Sequence, residues 1–337
     1  MTLTALELCA GAGGQALGLK RAGFTHVALI DNDEHACQTL KRNLPEARVI
    51  RADIRKLRDP ARFKGIDLLA AGLPCPPFSV AGQQLGDADE RNLFPAMFDI
   101  VRATRPKAVM IENVPGLLAP KFADYRAWIC DQFDQLGYHV DMRLFDASDF
   151  GVPQRRKRVI IVALLARYAD GFRWPKALDQ QAPTVGEALQ DLMADNGWRG
   201  AVAWAKRAND VAPTIVGGSK KHGGADLGPT RSRAAWAKLG VEGKSLADAA
   251  PDKHFTGMPR LTIPMVARLQ GFPDGWQFVG KKTNAYRQVG NAFPPAVAEA
   301  VACQIAKALQ ARDRKIVAEH AARSRDLTVP GSLLLSR

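Results

Sequence analysis

The chain has no run of 18 or more apolar residues, which excludes a membrane-spanning helix. Its opening stretch, MTLTALELCAGAGG, lacks a basic segment followed by an apolar one and a cleavage site, so no secretion signal is expected. Cysteine is scarce. The five residues, Cys9, Cys37, Cys75, Cys130 and Cys303, are scattered, odd in number and free of CxxC or Cys/His spacing. They exclude a disulfide framework and a structural zinc, no metal is expected, and free thiols suit a reducing cytoplasm. Carboxylates are in deficit: 34 Asp and Glu face 47 Lys and Arg, a formal charge of +13 over 337 residues. That excess favours a polyanionic partner, nucleic acid first, although charge gives affinity for phosphate without sequence preference. What is present is globular, with 47% hydrophobic and 24% charged residues, enough for two domains or one domain with a large insertion.

Up to about residue 165, short apolar runs alternate with amphipathic stretches. Strands are expected at 5–10, 26–30, 47–54, 66–72, 107–114, 140–151 and 158–165, with helices at 13–24, 33–43, 90–106 and 125–138. The alternation predicts an α/β fold with a doubly wound, mostly parallel sheet, the direction of the last pair being left open. After residue 178 the pattern breaks. Residues 179–283 are rich in Gly, Pro, Lys and Arg and predict a second, smaller, irregular domain, with 217–233 loop-like and cationic. Trp198, Trp204, Trp236, Phe255 and Trp276 need burial or a partner, so this part is not disordered throughout. Helical periodicity returns over 294–312, which should pack back on the first domain, and 313–337 should be weakly structured. The expected division is 1–178 with 284–320, then 179–283, then a tail from 321.

Five segments carry chemistry. ELCAGAGG (7–14) runs a strand into a glycine turn and a helix start. Glycines let a backbone approach a ligand, and the free N–H groups of a helix start serve a carboxylate as well as a phosphate. The GxGG spacing weakens a dinucleotide reading, and a plain strand–helix corner is the alternative. Asp31, ending the second strand, is placed to accept from ribose hydroxyls, and Asp53, closing the third, to hold an adenine amino group. Each could instead be a cap or a turn former.

Cys75, in GLPCPPFS after the fourth strand, falls at the sheet edge where ligands bind. Its flanking prolines keep it out of regular structure, which favours a nucleophile over a small buried hydrophobe. Glu112, in ENV at the end of the fifth strand, is an acid or hydrogen-bond donor beside it, or a turn cap. In QRRKR (154–158), Arg156 and Arg158 fall on one strand face and suit a carbonyl or phosphate, against the commoner fate of a solvated basic turn.

Taken in order, these segments resemble the DNA (cytosine-5) methyltransferase family, from about residue 5 to 305 except near 180–255. LELCAGAGG looks like its cofactor loop, GLPCPPFS with GQQLGDADERNLF its catalytic loop, and IENV its glutamate motif. DFGVPQRRKRVIIVA looks like the stretch ending in a target-base arginine, and MPRLTIPMVARLQGFPDGW and AYRQVGNAFPPAVA like its last two motifs. The chain departs from the usual pattern at Cys9 (Phe), Asp31 (Glu) and Asn32 (often bulky and apolar). The resemblance implies a Rossmann-like fold dependent on S-adenosylmethionine, with S-adenosylhomocysteine as product. Cys9, Ala10, Gly11, Gly13, Gly14, Asp31, Asn32, Asp53, Ile54, Gly72, Pro74, Asn291 and Ala292 would hold the cofactor, with Gln288 and Gly290 returning the chain to its pocket.

It further implies a mechanism. The Cys75 thiolate attacks cytosine carbon 6, Glu112 serves ring nitrogen N3, Arg158 holds the O2 carbonyl with Arg156 beside it, and the base flips out of the duplex under a lid at 76–94. Ser79, Gln83 and Arg91 of that lid, and Lys220, Lys221, Arg231 and Arg233 of the middle segment, would contact DNA. Duplex DNA is the implied partner of a cytoplasmic monomer, alongside a cognate restriction endonuclease that forms no stable complex with it. Rivals are an RNA methyltransferase of the same chemistry, a non-enzymatic DNA-binding protein on this scaffold and, distantly, a dehydrogenase.

Overall fold

A computed structural model describes residues 2–74, 92–218 and 224–326. Its first part runs β1 (Leu3–Leu8), α1 (Gly14–Arg21), β2 (Phe24–Asp31), α2 (Glu34–Asn43), β3 (Val49–Arg51), β4 (Leu68–Gly72), α3 (Phe94–Thr104), β5 (Ala108–Asn113), α4 (Ala123–Gln135), β6 (Tyr138–Asp146), β7 (Lys157–Leu165) and α5 (Ala166–Ala169). The second runs α6 (Val185–Ala194), α7 (Ala201–Arg207), α8 (Thr230–Lys238), α9 (Ile263–Leu269), α10 (Lys282–Asn291) and α11 (Pro295–Asp326).

The strands form one sheet in the order β3-β2-β1-β4-β5-β7-β6. The first five are parallel, while β7 is antiparallel to both β5 and β6. The chain winds outward from β1 in one direction and from β4 in the other. Loops leaving the carboxyl ends of β1 and β4 therefore diverge and open a crevice. Both faces of the sheet are covered, as parallel strands require. On one face Leu3, Ala5 and Leu19 pack with Val297, Val301 and Ile305 of α11. On the other Leu6 and Leu8 pack with Phe98 and Phe133, whose rings meet edge to face at 4.9 Å.

Local chemistry sets several boundaries. Asp33 caps α2 by accepting from the backbone of His35 and Ala36, and Thr184 and Glu187 form a reciprocal capping box on α6. The strand expected over 47–54 is only three residues long, because the Asp53 carboxylate accepts from the Arg55 backbone and turns the chain into a short 3-10 helix at Ile54–Lys56.

Two expectations are corrected. Residues 179–283 are not simply irregular: α6 to α9 lie there, and Trp198, Trp204 and Trp236 are buried in a core that also takes in Leu17, Leu29, Leu40 and Leu44. Apolar positions spread over short helices and loops gave the sequence no long period to display. Nor does order stop at residue 312, since α11 continues to Asp326. Lys107 Nζ lies 2.6 Å from Asp313 Oδ2 and 2.9 Å from Asp67 Oδ1, and Tyr168 donates to Asp313, so the helix is tied to the sheet beyond its apolar stretch.

Candidate active site

The crevice holds a cavity of about 560 Å³ that gathers most of the residues singled out from sequence. From the first turn come Cys9, Ala10, Gly11 and Gly14; from the ends of β2 and β3, Asp31, Asn32, Asp53 and Ile54. Gly72 ends β4 and Pro74 follows it, Glu112 is the last residue but one of β5, Arg158 is the second residue of β7, and Asn291 and Ala292 close the far wall.

The turn after β1 is reversed. Cys9 has φ 53° and Gly11 φ 53°, so both occupy the left-handed region. For Cys9 this costs about 1–2 kcal/mol, and such a cost concentrates where geometry serves a site. A Cβ added to Gly11 would meet nothing within 4 Å, so open space lies over the peptide there. The Asp31 carboxylate locks the turn, accepting from Gly11 N at 2.8 Å and Asp33 N at 2.7 Å. Asp53 is paired with its neighbour Arg55, whose guanidinium holds the carboxyl below the usual aspartate range. It is both the cap that the bland reading offered and a wall of the cavity.

At the other end, Arg158 Nε lies 2.6 Å from Glu112 Oε1 as a close ion pair, without the alignment of a hydrogen bond. Asn113, buried behind Glu112, donates to Leu73 O at 3.4 Å and steadies the turn that carries Pro74 to the cavity rim. Cys75 is the next residue in the sequence. It lies outside the described residues, as do Ser79, Gln83, Arg91, Lys220 and Lys221.

Three expected site residues are placed elsewhere. Gly13 does not line the cavity: its added Cβ would meet Leu40 at 2.8 Å and Trp276 at 3.0 Å, so it is a packing glycine at the start of α1. Gly290 faces Gly217 rather than the cavity. Arg156 precedes β7, and its guanidinium is wholly buried, donating to the carbonyls of Ile215, Gly290 and Ala292. It therefore does not stand beside Arg158 as a second base-holding fork. Arg231 and Arg233 sit on α8, not in a loop; Arg231 is exposed, and Arg233 is half-buried against Gly243.

The sequence reading missed several lining residues. Glu7, near the end of β1, lines the cavity and is buried against His26 at 3.4 Å. Asn284 and Arg287 were missed as well: they line the cavity from α10 beside Gln288 and Asn291, which the sequence did point to, and the spacing of the four by three, four and seven is one helix face. That period was present in the sequence. In a chain of formal charge +13, the cavity walls carry the carboxylates of Glu7, Asp31, Asp33, Asp53 and Glu112 against the guanidinium groups of Arg158 and Arg287. So acidic a pocket suits a cationic occupant.

A model of the C-5 cytosine-specific DNA methylase family matches residues 3–307. The chain belongs to that family. It is 51% identical over 346 residues to the type II methyltransferase M.NaeI of Lentzea aerocolonigenes, covering 100% of this chain and 83% of that protein. It is 53% identical over 313 residues to M.NgoMIV of Neisseria gonorrhoeae, covering 92% and 99%. The solved Dnmt2 methyltransferase of S. pombe shares the fold, with a TM-score of 0.62 at 18% identity over 91% of this chain and 99% of that one. The protein is thus a DNA (cytosine-5) methyltransferase. The dehydrogenase and the non-enzymatic scaffold are set aside. In this methylase the switch-point cavity brings the glycine turn and the Glu112–Arg158 pair to one place, and no helix among the described residues is long and apolar enough to cross a membrane.

Proposed function

We propose that the enzyme methylates carbon 5 of a cytosine within a short duplex DNA sequence, with S-adenosylmethionine in the cavity and Cys75 as nucleophile. The observation that carries this reading is that one cavity is lined by Gly11, Asp31, Glu112 and Arg158, with Pro74, the residue before Cys75, at its rim.

The residues fit the cofactor. Open space over Gly11 admits a close ligand, the start of α1 offers N–H groups to a carboxylate, and the acidic walls suit a sulfonium and an ammonium. Asp31 ends β2 on the cavity wall, where a carboxylate suits ribose hydroxyls. Bound there, S-adenosylmethionine supplies an electrophilic methyl group.

This chain's own groups do the rest. Carbon 5 of cytosine is a weak nucleophile until the Cys75 thiolate adds to carbon 6, forming a C–S bond and pushing an electron pair toward N3 and carbon 5. Glu112 holds N3 as that charge develops, and Arg158 holds O2 while its own charge steadies Glu112. Carbon 5 takes the methyl group. Loss of its proton to a base, for which water serves, then expels the thiolate. Because the ring must be reached from both faces, the cytosine leaves the stack. We assign residues 179–283 to sequence recognition, with exposed Arg231 of α8 as a DNA contact and Arg233 beside it. M.NaeI and M.NgoMIV are type II methyltransferases, which favours a cognate restriction endonuclease for this enzyme too; the reading takes the enzyme itself as a monomer.

Bisulfite sequencing of DNA from cells expressing the chain should reveal one short methylated motif, and Cys75→Ser should abolish it while purified protein still binds S-adenosylhomocysteine. Methylation of tRNA but not duplex DNA in vitro, or full activity of Cys75→Ser, would overturn the reading.

A further inference from the structure

Arg156 is 1% exposed; the Asp146 carboxylate accepts from its backbone N–H at 2.8 Å, but among the described residues its guanidinium bonds to carbonyls alone. Its Nη1 donates to Ile215 O at 2.8 Å, and its Nη2 donates to Gly290 O at 2.8 Å and Ala292 O at 3.0 Å. A guanidinium cannot shed its proton, so burying it among carbonyls alone is costly unless its planar fork does something a neutral side chain cannot. Here the fork bridges two surfaces. Ala292 and neighbouring Asn291 line the cavity. Ile215 belongs to the segment 212–218, which leads toward the Lys220–Lys221 run of the sequence.

Two buried glutamines repeat the bridge. Gln154 accepts from Ile215 N at 2.9 Å and donates to Gln270 Oε1 at 2.7 Å, and Gln270 donates to Ala292 O. Beyond them, Gly217 and Gly290 meet backbone to backbone: a Cβ on Gly290 would lie 2.4 Å from Gly217 N. Asn291 donates to Gly218 O at 3.2 Å. Ile215 and the cavity wall at Ala292 therefore share one buried polar hub, while the segment beyond Ile215 is more open: Val216 is exposed and Gly218 lines the cavity.

We propose that Arg156 is a positioning residue that couples the two surfaces, so that filling the cavity orders segment 212–218 and, reciprocally, engagement of that segment tightens the cavity. The proposal rests on the cofactor reading of the cavity. It assigns to Arg156 a role different from that of Arg158, although both stand in one basic run.

Hydrogen exchange with and without S-adenosylhomocysteine tests it without any turnover. In the wild type, the ligand should slow exchange in peptides spanning 284–293 and also, within those spanning 210–218, at Thr214–Val216, which lie off the cavity that Gly218 itself lines. Arg156→Met should abolish the second response and weaken the ligand about tenfold. Since that variant risks misfolding, Gln270→Met, which breaks only one arm of the bridge, should lower the 214–216 response in a protein that keeps its thermal midpoint within a few degrees. Val301→Ala, buried in the α11 core away from the hub, should lower the midpoint and leave both responses intact. A wild type that binds the ligand with no change at 214–216, or an Arg156→Met or Gln270→Met protein with the full response, overturns the coupling. A wild type that binds no ligand overturns the cofactor reading, and the coupling falls with it.

Discussion

Glu112 and Arg158 face one another across the antiparallel β5–β7 pair, with Nε and Oε1 2.6 Å apart and both side chains nearly buried, at 12% and 13% exposure. The reversed direction of β7 makes this possible, because it brings the start of that strand beside the end of β5. Two opposite charges in a half-dry cleft fix one another's rotamer, and each remains within reach of the same ligand edge.

Glu112→Gln keeps the shape of the side chain and removes its charge and proton. If Glu112 serves ring nitrogen, kcat should fall by about 10²–10⁴, the usual worth of a positioned acid, while S-adenosylhomocysteine affinity stays within about twofold. Single-turnover methylation and ligand titration measure the two separately. Near-normal turnover would leave Glu112 as no more than a partner that orients Arg158.

Gly11 and Gly14 should respond in opposite ways to alanine. At Gly11 the added methyl meets nothing within 4 Å, so the fold should lose only the left-handed backbone cost, about 1–2 kcal/mol, while ligand affinity falls at least about tenfold because the methyl fills the cradle. At Gly14 the methyl would lie 2.2 Å from Phe293 O, so thermal stability should drop first. Thermal melts alongside ligand titration of both variants check the contrast. Equal loss of affinity and stability in both would remove Gly11 from the ligand surface.

Much of this was legible in the sequence, for particular reasons. Short apolar runs ending in Gly11, Asp31, Asp53, Pro74 and Glu112 marked strand ends, and strand ends at the switch of a doubly wound sheet converge by topology alone. What stayed hidden depends on which way a side chain turns. Arg156 and Arg158 look alike in a basic run, yet Arg156 lies one residue ahead of β7 and plunges into the hub while Arg158 reaches the cavity. Gly13 sits between two cavity glycines but turns toward Leu40 and Trp276, residues that only the three-dimensional fold brings near. The reach of α11 to Asp326 escaped because Lys107 and Tyr168 hold it at Asp313 from 206 and 145 positions away.

Thiol chemistry should single out Cys75. Burial pushes Cys37 up to about 11, and Asp31 adds to that. Burial also raises Cys9, Cys130 and Cys303, with nearby carboxylates adding to each. All four are therefore thiols at neutral pH and poor nucleophiles. Iodoacetamide at pH 7.5 should modify Cys75 first, with loss of methylation tracking that adduct by peptide mass spectrometry. Faster labelling of Cys9 or Cys37 would contradict their environment.

Glu7 gives stability a pH dependence whose sign can be fixed. Burial raises its carboxyl above the ordinary value, His26 on β2 opposes the rise, and the charge of Asp31 at the end of β2 adds to it. A raised acid binds its proton more tightly in the folded state than in the unfolded one. Stability should therefore fall as pH climbs from the ordinary carboxylate pKa, about 4.3, through the raised folded value, and the full cost should persist above it. Glu7→Gln removes the ionisation and so should raise the thermal midpoint at pH 8, by about 2 °C for each kcal/mol recovered, and the gain should vanish near pH 4. Melts of both proteins from pH 4 to 8 measure the difference. A variant less stable than the wild type at pH 8 and equal to it at pH 4 would mean that the bond to His26 outweighs burial, with Glu7 held ionised in the cavity wall.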